Sequence, residues 1–528
     1  MLTHQNRATE GPERRRRLRW VRRRSLPAVL VAGLLVAGAG VAVSAVKQTA
    51  GAGTGGCFDP VDYGAVPDDG AVDRGPIQKA MDAATDAGGG TVCLGAGHWT
   101  LDRAPTSAYD RFAALSTHAA RLTISGAGPG TVLDLIGDQG AGAVSVISLD
   151  PGSSGITIER LTIDTAAARN TDEQTHAIAI GSGVCSTANG TCSKPVSDVT
   201  VRDVVFNHPH VGTERKGDCI RLLGNTAATA VQRVSISGVS FLTCARSGIG
   251  VQRNVQSLSV LGNHFGDQIG DTPFDSEPTG GEGDDGLRLI GNSFAGSSVT
   301  YNATITTTRH AVVSGNTFTG RGLFVYRSGD VVVSDNTFDV TSPTGNGVIE
   351  VGNVADGVKI DNNLLRRHGV AGPVIRIQPH SDGLPGPMSV SNNTIIADGD
   401  SSGIYVHSGN GMSIRDNDIT FTDAAPDGSG VHLEAISRAI DGLIVTGNTV
   451  TGPVTADGGG TYFAAVRLNA SPFPFNDVTV ALNTARGAKN SLLCSQRTAG
   501  NFPVPVISVG NRWNVPPTCS IATFTTGQ

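Results

Sequence analysis

A short motif that recurs along most of the chain restricts the fold more than any other feature. In Val312-Val313-Ser314-Gly315-Asn316-Thr317-Phe318, an apolar-alternating run ends in Asn followed by another apolar residue. The repeated Asn falls at positions 263, 292, 316, 336, 363, 393, 417, 448, 483 and 511, which gives units of 20 to 35 residues. Repetition with this period is typical of a solenoid, in which each unit contacts only its neighbours.

Each unit also contains a second alternating run, and period-two alternation predicts a β-strand. These runs include Ile249-Gly250-Val251, Ile349-Glu350-Val351, Ile375-Arg376-Ile377, Ile404-Tyr405-Val406, Val431-His432-Leu433 and Val466-Arg467-Leu468. Two or more strands per unit, short corners and almost no helical periodicity predict an all-β fold, a parallel β-solenoid of about a dozen coils stacked about 4.8 Å apart.

The leucine-rich horseshoe is the alternative repeat fold, because Leu258-Ser259-Val260-Leu261-Gly262-Asn263-His264-Phe265 resembles its repeat. The second strand, the variable unit length and the scarcity of Leu at the other positions of that repeat favour the β-solenoid. We interpret the repeated Asn as a structural ladder, since Asn tolerates a left-handed corner and stacked amides bond along the axis.

One segment has helical periodicity. Residues 76–84 begin with Pro76 and place an apolar stripe at Ile77, Ala80, Met81 and Ala84, and three glycines follow at 88–90. An open solenoid end exposes apolar side chains and unpaired strand edges. We therefore expect a short N-terminal helix that caps the first coil.

The N-terminus has the features of an export signal. Eight arginines lie between Arg14 and Arg24, an uncharged apolar run follows, and Val43-Ser44-Ala45 has the small residues of a cleavage site. The run is also long enough for an uncleaved membrane anchor. We expect an export signal over 1–45, a Gly-rich linker over 46–56, one parallel β-helix domain over 57–520 and a tail over 521–528, in a secreted protein or one held at the outer membrane face.

Charge restricts the partners of the exported part. Residues 1–45 hold nine Arg against Glu10 and Glu13, so the remainder has 31 basic and 44 acidic side chains and a net charge of −13. Nucleic-acid binding depends on clustered Lys and Arg that neutralise phosphates, so nucleic acid is not expected as a partner. A strongly anionic substrate is also disfavoured.

The eight cysteines suit disulfides better than a metal site, because their number is even, no zinc-type spacing occurs and the protein is expected to be exported. Proximity along the sequence suggests the pairs Cys57–Cys93, Cys185–Cys192, Cys219–Cys244 and Cys494–Cys519. The sequence alone leaves the connectivity open.

The N-terminal segment resembles the pectate lyase superfamily. The resemblance rests on Asp62-Tyr63-Gly64-Ala65, Asp68-Asp69-Gly70, Asp73, Ile77-Gln78 with Ala80, and the glycine-rich run 88–97. It implies a right-handed parallel β-helix with an N-terminal capping helix and favours polysaccharide chemistry, although a fold does not fix a reaction. The polygalacturonase catalytic motifs are absent, with Asp218-Cys219 where a paired Asp is expected, so no catalytic residue is carried over.

Alternation predicts which side chains face outward on the sheet formed by the second strands. One predicted column is Arg221, Gly250, Asp275, Thr304, Phe324, Glu350, Arg376, Tyr405, His432 and Arg467. The next is Leu223, Gln252, Glu277, Thr306, Tyr326, Gly352, Gln378, His407, Glu434 and Asn469. Aromatic rings and planar polar groups suit a carbohydrate chain, whereas an ordinary solvated sheet face is the alternative interpretation.

Asp275 and Glu277 are the predicted catalytic residues. They are two positions apart on a strand, so they share a face with roots about 6.5 to 7 Å apart. Glycosidases use two carboxyl groups, and this spacing suits inversion better than retention. Crowding should raise one pKa, as a general acid requires. Ca²⁺ ligation and a structural turn before Pro278 are the alternatives, and no other cofactor or metal is expected.

The remaining candidates are predicted to bind substrate beside this pair. They are Asp218, Arg221, Gln252, Arg253, Tyr326, Glu350, Arg376, Gln378, Tyr405, His407, His432, Glu434 and Arg467. Their neighbourhood leaves three functions open: a glycoside hydrolase acting on a polysaccharide, a lyase in which Arg221, Arg376 or Tyr405 assists proton removal from a uronic-acid polymer, and a non-catalytic glycan-binding surface protein.

Overall fold

The computed structural model describes residues 56–525 with gaps. The gaps are 108–110, 171–173, 183–193, 210–216, 279–282, 297–300, 342–345, 354–356, 370–371, 379–386, 399–400, 408, 423–427, 437, 453–462, 471, 497–501, 505 and 520–521. The predicted export signal, the Cys185–Cys192 pair and Lys216, which lies beside Asp218 in the sequence, fall outside the described residues. No helix in the part of the chain that is described is long and apolar enough to cross a membrane.

One face of the solenoid is a 14-stranded parallel sheet in which each strand pairs with the equivalent strand of the next coil. Its strands are Phe112–Thr117, Val144–Leu149, Thr175–Ile180, Ile220–Leu222, Ile249–Val251, Phe274–Ser276, Tyr301–Thr306, Gly322–Tyr326, Ile349–Gly352, Ile375–Gln378, Ser402–Val406, Ser429–Ala435, Ala464–Ala470 and Asn490–Gln496. The predicted right-handed parallel β-helix is confirmed.

A 32-stranded sheet forms the other faces, and most coils contribute two or more short strands to it. Its strands are Cys57–Phe58, Gly90–Leu94, Gly97–Leu101, Leu122–Gly126, Thr131–Leu135, Ser154–Asp164, Val196–His208, Val231–Ser237, Ser240–Cys244, Val255–Leu261, His264–Ile269, Asp284–Asp285, Arg288–Ile290, Ser293–Phe294, Thr308–Arg309, Val312–Ser314, Thr317–Gly320, Val332–Ser334, Thr337–Val340, Lys359–Asp361, Leu364–Arg367, Ser389–Ser391, Thr394–Ala397, Gly409–Asn410, Ser413–Arg415, Asp418–Phe421, Ile440–Thr446, Thr449–Thr451, Phe475–Ala481, Thr484–Arg486, Val506–Val509 and Ala522–Thr525. Two further short strands, Gly137–Asp138 and Ala168–Arg169, pair with each other. The strand Ala522–Thr525 pairs with Val506–Val509, so the sheet extends beyond residue 520.

A helix from Arg74 to Asp86 covers the first coil, as the sequence predicts, although it begins two residues before Pro76. Its buried residues are Ile77, Ala80, Met81 and Ala84, the four positions of the predicted stripe. Short 3₁₀ turns lie at Pro60–Tyr63 and Ala227–Thr229. The helix thus shields apolar side chains that would otherwise face water at the end of the stack.

The aspartates of the N-terminal motif fasten the chain before the helix to the first coils. Asp68 Oδ1 accepts the His98 backbone N–H at 2.9 Å. Asp73 accepts the backbone N–H groups of Val66 and Thr100, each at 3.0 Å. These carboxylates satisfy donors that burial would otherwise leave unpaired, which explains why this segment needs them.

The repeated asparagines form a continuous ladder inside the solenoid, as predicted. Both the backbone N–H and the side-chain Nδ2 of Asn316 donate to Oδ1 of Asn336 at 2.9 Å. The same pattern links all ten positions from Asn263 to Asn511. The left-handed corner residue is not the ladder Asn but the residue before it, with φ between 53° and 69°. The Asn itself is therefore free to point inward.

Replacing a ladder residue, for example Asn316→Ala, is expected to reduce the free energy of unfolding by roughly 1 to 3 kcal/mol, because buried donors and acceptors in both neighbouring coils lose their partners. Urea unfolding followed by circular dichroism measures this loss. A change close to zero would show that the ladder follows the fold without stabilising it.

A stack of phenylalanine rings runs beside the ladder through six successive coils. The rings of Phe206, Phe241, Phe265, Phe294, Phe318 and Phe338 lie parallel, with centroids 4.6 to 5.3 Å apart. Register continues the same column with Leu365, Ile395 and Ile419. The motif therefore supplies a polar column and an apolar column from neighbouring positions of each coil.

Three predicted disulfides are present: Cys57–Cys93, Cys219–Cys244 and Cys494–Cys519. Each joins sequence-adjacent coils at or near a sheet. The second of them joins Cys219, next to Asp218 in the sequence, to Cys244 at the end of the strand Ser240–Cys244.

Candidate functional site

The register of the 14-stranded sheet places the predicted outward column in one row. Cα pairing runs from Arg221 through Gly250, Asp275, Thr304, Phe324, Glu350, Arg376, Tyr405 and His432 to Arg467. We call the solvent-facing side of this sheet, from Arg221 to Arg467, the outer face. Each step along it is one strand spacing, about 4.8 Å.

Asp275 lies half-buried at the centre of the strand Phe274–Ser276. Its Oδ1 accepts a hydrogen bond from Thr304 Oγ1 at 2.5 Å, across to the next coil. Burial raises the pKa of Asp275 to about 6, the Thr304 hydrogen bond opposes this shift, and the charges of Glu277, Asp271 and Asp218 add to it. This carboxyl group therefore holds its proton at a pH at which an ordinary Asp has lost it.

Glu277 follows one residue after the end of that strand and is exposed. Its backbone N–H donates to Val251 O at 2.9 Å, which continues the sheet pairing and keeps its side chain on the outer face with Asp275. The two carboxyl groups consequently have different environments, one shielded and one in water.

Asp218 is fully buried, so the prediction that it binds substrate directly is corrected. Its side chain has no exposed surface. Both carboxylate oxygens accept from the guanidinium of Arg246, at 2.7 and 2.6 Å. The group occupies the space that a side chain at Gly250 would need, since a Cβ there would lie 2.6 Å from Asp218 Oδ2. Asp218 can thus influence Asp275 through its charge, without itself reaching solvent.

Arg246 is a site residue that the alternation rule misses, because it lies in a loop after Ser240–Cys244 and not on a strand of the outer face. The predicted Cys219–Cys244 disulfide was the available signal, since it joins the residue after Asp218 to a residue two before Arg246. The side chain of Arg246 is 22% exposed, and its charge interacts with Asp275 and Asp271 as well as Asp218.

His176 is fully buried next to Asp218 and was also missed. Its Nδ1 accepts the Asp218 backbone N–H at 3.0 Å, so this nitrogen is unprotonated. Complete burial lowers the pKa of His176 well below its ordinary value, and the positive charges of Arg221 and Arg246 lower it further. A neutral imidazole fits here because a third cation beside these arginines would be costly.

Arg221 and Gln252 lie on adjacent coils and contact each other, Nε to Oε1, at 3.0 Å. Arg253 points elsewhere: its guanidinium donates to Gly224 O at 3.3 Å and meets Asn225 Oδ1 at 3.5 Å. The structure therefore places Arg221 and Gln252 on the outer face and Arg253 at its margin.

Aromatic rings follow Asp275 along the outer face. Phe324 stacks on Tyr301 with centroids 5.1 Å apart and on Tyr326 at 5.5 Å. Phe324 and Tyr326 are half-buried, and the hydroxyl of Tyr326 accepts from Asn353 Nδ2 at 3.2 Å. These two rings form an apolar surface two coils from Asp275.

Glu350 is sealed below this surface, which corrects the expectation that it binds substrate. Only 4% of the residue is exposed. Its Oε2 accepts from Tyr301 Oη at 2.6 Å and its Oε1 from Gln378 Nε2 at 2.6 Å. Arg376 Nη1 lies 3.9 Å from Oε1. Glu350 orients these neighbours, and the half-buried Gln378 and Arg376 remain in the row.

A second polar cluster lies farther along the outer face. Tyr405 Oη donates to Glu434 Oε2 at 2.5 Å, and Asn469 Nδ2 donates to Oε1 at 2.6 Å. His432 packs edge-on against the Tyr405 ring, centroids 5.0 Å apart, and the His407 ring is 5.7 Å from it. All five residues are half-buried.

Burial dominates the titration of this second cluster. It lowers the pKa of His432 to about 3, with Arg467 adding to the effect, and it lowers the pKa of His407. Burial and the Glu434 carboxylate both raise the pKa of Tyr405. The imidazoles are therefore neutral and the phenol keeps its proton at ordinary pH.

An interior cavity lies behind the strand Phe274–Ser276, which carries Asp275. Val251, Phe274, Ser276, Asp284 and Thr308 line it. Phe274 and Ser276 alternate with Asp275, so the cavity opens to the inside of the coil and not to the outer face.

A family model described as NosD, periplasmic copper-binding protein, matches residues 274–457, which is less than half of the chain. Within the described residues, no group of three or more His, Cys, Asp or Glu side chains is placed to hold a metal ion. No curated protein gives a significant sequence match.

Solved structures with related folds include carbohydrate-active proteins. The A-module of the Azotobacter vinelandii mannuronan C-5 epimerase AlgE6 is 17% identical, with TM-score 0.41, over 87% of this chain and 100% of that one. Bacteriophage CBA120 tailspike protein 3 is 12% identical, with TM-score 0.48, over 88% and 62%. The Yersinia enterocolitica family 28 exopolygalacturonase is 12% identical, with TM-score 0.41, over 75% and 78%. Likenesses this weak transfer no activity to the chain.

Proposed function

We propose that this chain is an extracytoplasmic carbohydrate-active enzyme that hydrolyses glycosidic bonds of a polysaccharide, with Asp275 as general acid and Glu277 as its partner carboxylate. The observation that carries the proposal is the contrast between them. Asp275 is shielded, with a pKa raised to about 6, and Glu277 is exposed two residues away on the same face. Glycoside hydrolysis needs one protonated and one ionised carboxyl group beside the scissile bond.

In the proposed reaction, protonated Asp275 donates its proton to the glycosidic oxygen as the bond from that oxygen to the anomeric carbon breaks. Glu277 removes a proton from a water molecule, whose oxygen forms the new bond to the anomeric carbon. Roots about 6.5 to 7 Å apart on alternate strand positions leave room for that water and correspond to inversion. Atoms balance, because the water supplies one proton and one hydroxyl group to the two products.

Residues along the outer face are assigned to hold the rest of the polysaccharide. Phe324 and Tyr326 offer aromatic surface to the apolar side of a sugar ring. Arg221 and Gln252 lie on the two coils before Asp275, where their planar donors can bond hydroxyl groups. Arg376 and Gln378 lie on the fourth coil after Asp275 and offer donors of the same kind. A carbohydrate chain lying across the strands would contact both sets at once.

Incubation of the purified protein with neutral and uronic polysaccharides, in water enriched in heavy oxygen, tests this proposal. Products that carry one heavy oxygen per cleaved bond would support hydrolysis. Unsaturated products would contradict it in favour of a lyase, and binding without any product would contradict it in favour of a non-catalytic glycan-binding protein.

The pH profile should follow the Asp275 proton. A general acid acts in its protonated form, so the rate should be highest below the raised pKa and fall as pH rises through about 6. Asp271→Asn removes one of the negative charges that raise this pKa, so the falling limb should move to lower pH. Initial rates across a pH series measure both profiles, and an unmoved limb would contradict the assignment.

A further inference from the structure

We infer that the cluster of Tyr405, His432, Glu434 and Asn469 is a second carbohydrate-binding site, one that takes an uncharged sugar unit. It lies five strand steps from Asp275, about 24 Å along the outer face. Its role in holding a distant part of the same substrate chain rests on the proposed hydrolysis at Asp275, whereas its capacity to bind sugar does not.

The outer face contains the same hydrogen-bond arrangement twice. In each copy one glutamate accepts from a tyrosine hydroxyl through Oε2 and from a side-chain amide through Oε1. The copy around Glu350 is sealed, since Glu350 and Tyr301 are 4% and 9% exposed. The copy around Glu434 is half-buried, so part of its surface faces solvent. Because the same two hydrogen bonds form around the sealed Glu350, they do not depend on exposure to solvent.

Two polar atoms of the copy around Glu434 have no hydrogen-bond partner within the described part of the chain, although both are shielded from solvent. They are Nε2 of His432 and Oδ1 of Asn469. Because the Glu434 carboxylate accepts hydrogen bonds, the Asn469 side chain turns its Nδ2 towards Glu434. Its Oδ1 then points away from Glu434 and can accept from another donor. Shielded polar groups normally have partners, because leaving one unpaired costs free energy.

A sugar hydroxyl supplies what these two atoms require, because it can donate to Asn469 Oδ1 and accept from or donate to His432. The nearly edge-on pair of Tyr405 and His432 gives a ring surface beside them. Charge favours an uncharged unit, because the charges around the cluster are balanced. The Glu434 carboxylate is offset by Arg467, which pairs in register with His432, and Arg376 beside Tyr405 is offset by Glu350. Both histidines of the cluster are neutral.

Binding measured without turnover tests this site. In protein carrying Asp275→Asn, the affinity for neutral glucan and galactan oligosaccharides and for oligogalacturonates is determined by calorimetry, using short and long members of each series. His432→Phe and Tyr405→Phe are each expected to weaken binding of long neutral oligosaccharides at least about tenfold, equivalent to about 1.4 kcal/mol. Oligogalacturonates should bind more weakly than neutral chains in the unaltered cluster.

Tyr63→Phe is the matched control, because it removes a tyrosine hydroxyl in the 3₁₀ turn Pro60–Tyr63, outside the outer face. It should leave the affinity unchanged, while circular dichroism confirms folding of all variants. Equal affinity of the His432→Phe, Tyr405→Phe and unaltered proteins, preference for uronic chains, or no binding to any oligosaccharide would overturn the inference. Binding that depends on His432 in a protein that yields no hydrolysis product would support this site and refute the proposed function alone.

Discussion

Asp275→Asn is expected to lower the rate of polysaccharide hydrolysis about a thousandfold, within the range that a positioned general acid contributes. The amide is nearly isosteric and can still accept from Thr304, so the strand and its hydrogen bond should persist. What is lost is the proton that this half-buried carboxyl group retains up to about pH 6. Initial rates on the best polysaccharide of the panel, at pH below 6, measure the effect.

Asp267→Asn is the matched control, since it makes the same chemical change at an exposed position of the strand His264–Ile269, in the other sheet. Its rate should equal that of the unaltered protein. Glu277→Gln should also reduce hydrolysis strongly, because it removes the proposed base. If Asp275→Asn retains its turnover while substrate binding is normal, the assignment of Asp275 as the acid is wrong.

Phe294→Ala is expected to have the largest effect on stability, about 3 to 5 kcal/mol less free energy of unfolding. Phe294 lies within the stack of six rings, 4.6 Å from Phe265 and 4.7 Å from Phe318 between centroids, and is 1% exposed. Truncation removes contacts to both neighbours and leaves a cavity that the rigid coil spacing prevents from closing. Urea unfolding measured by circular dichroism gives the change.

Phe473→Ala provides the comparison, because Phe473 is 38% exposed and lies outside the stack. Its effect should stay within about 0.5 kcal/mol. A Phe294→Ala loss as small as that of the control would mean that the coils around the stack can relax inward, contrary to the close packing described here.

The repeat is sufficient to specify most of the fold. Period-two alternation states which residues face the core, and a one-residue shift would expose every buried side chain, so the register is strongly fixed. That is why the row from Arg221 to Arg467 and the Asn ladder could be read from the sequence. The cap helix could be read as well, since its four buried residues follow a single apolar stripe.

The sequence alone did not decide how deep each outward side chain lies. Glu350 and Tyr405 occupy the same row, yet Glu350 is sealed by Tyr301 from two coils away and Tyr405 remains half-exposed. Alternation gives the direction of a side chain but not which long neighbour reaches across it from another coil. Depth on the outer face is consequently a property of several coils together.

The sequence by itself thus determined the solenoid, its register and the row that contains Asp275, because these follow from local periodicity repeated coil after coil. The tertiary structure alone decided that Asp218 lies buried against Gly250, bound to Arg246 and next to His176. Those residues come from a loop and from neighbouring coils, and no local pattern encodes a contact that forms only when the coils stack. The physical reason is that burial and nearby negative charges raise the pKa of Asp275, and both depend on side chains that the stacked coils bring together.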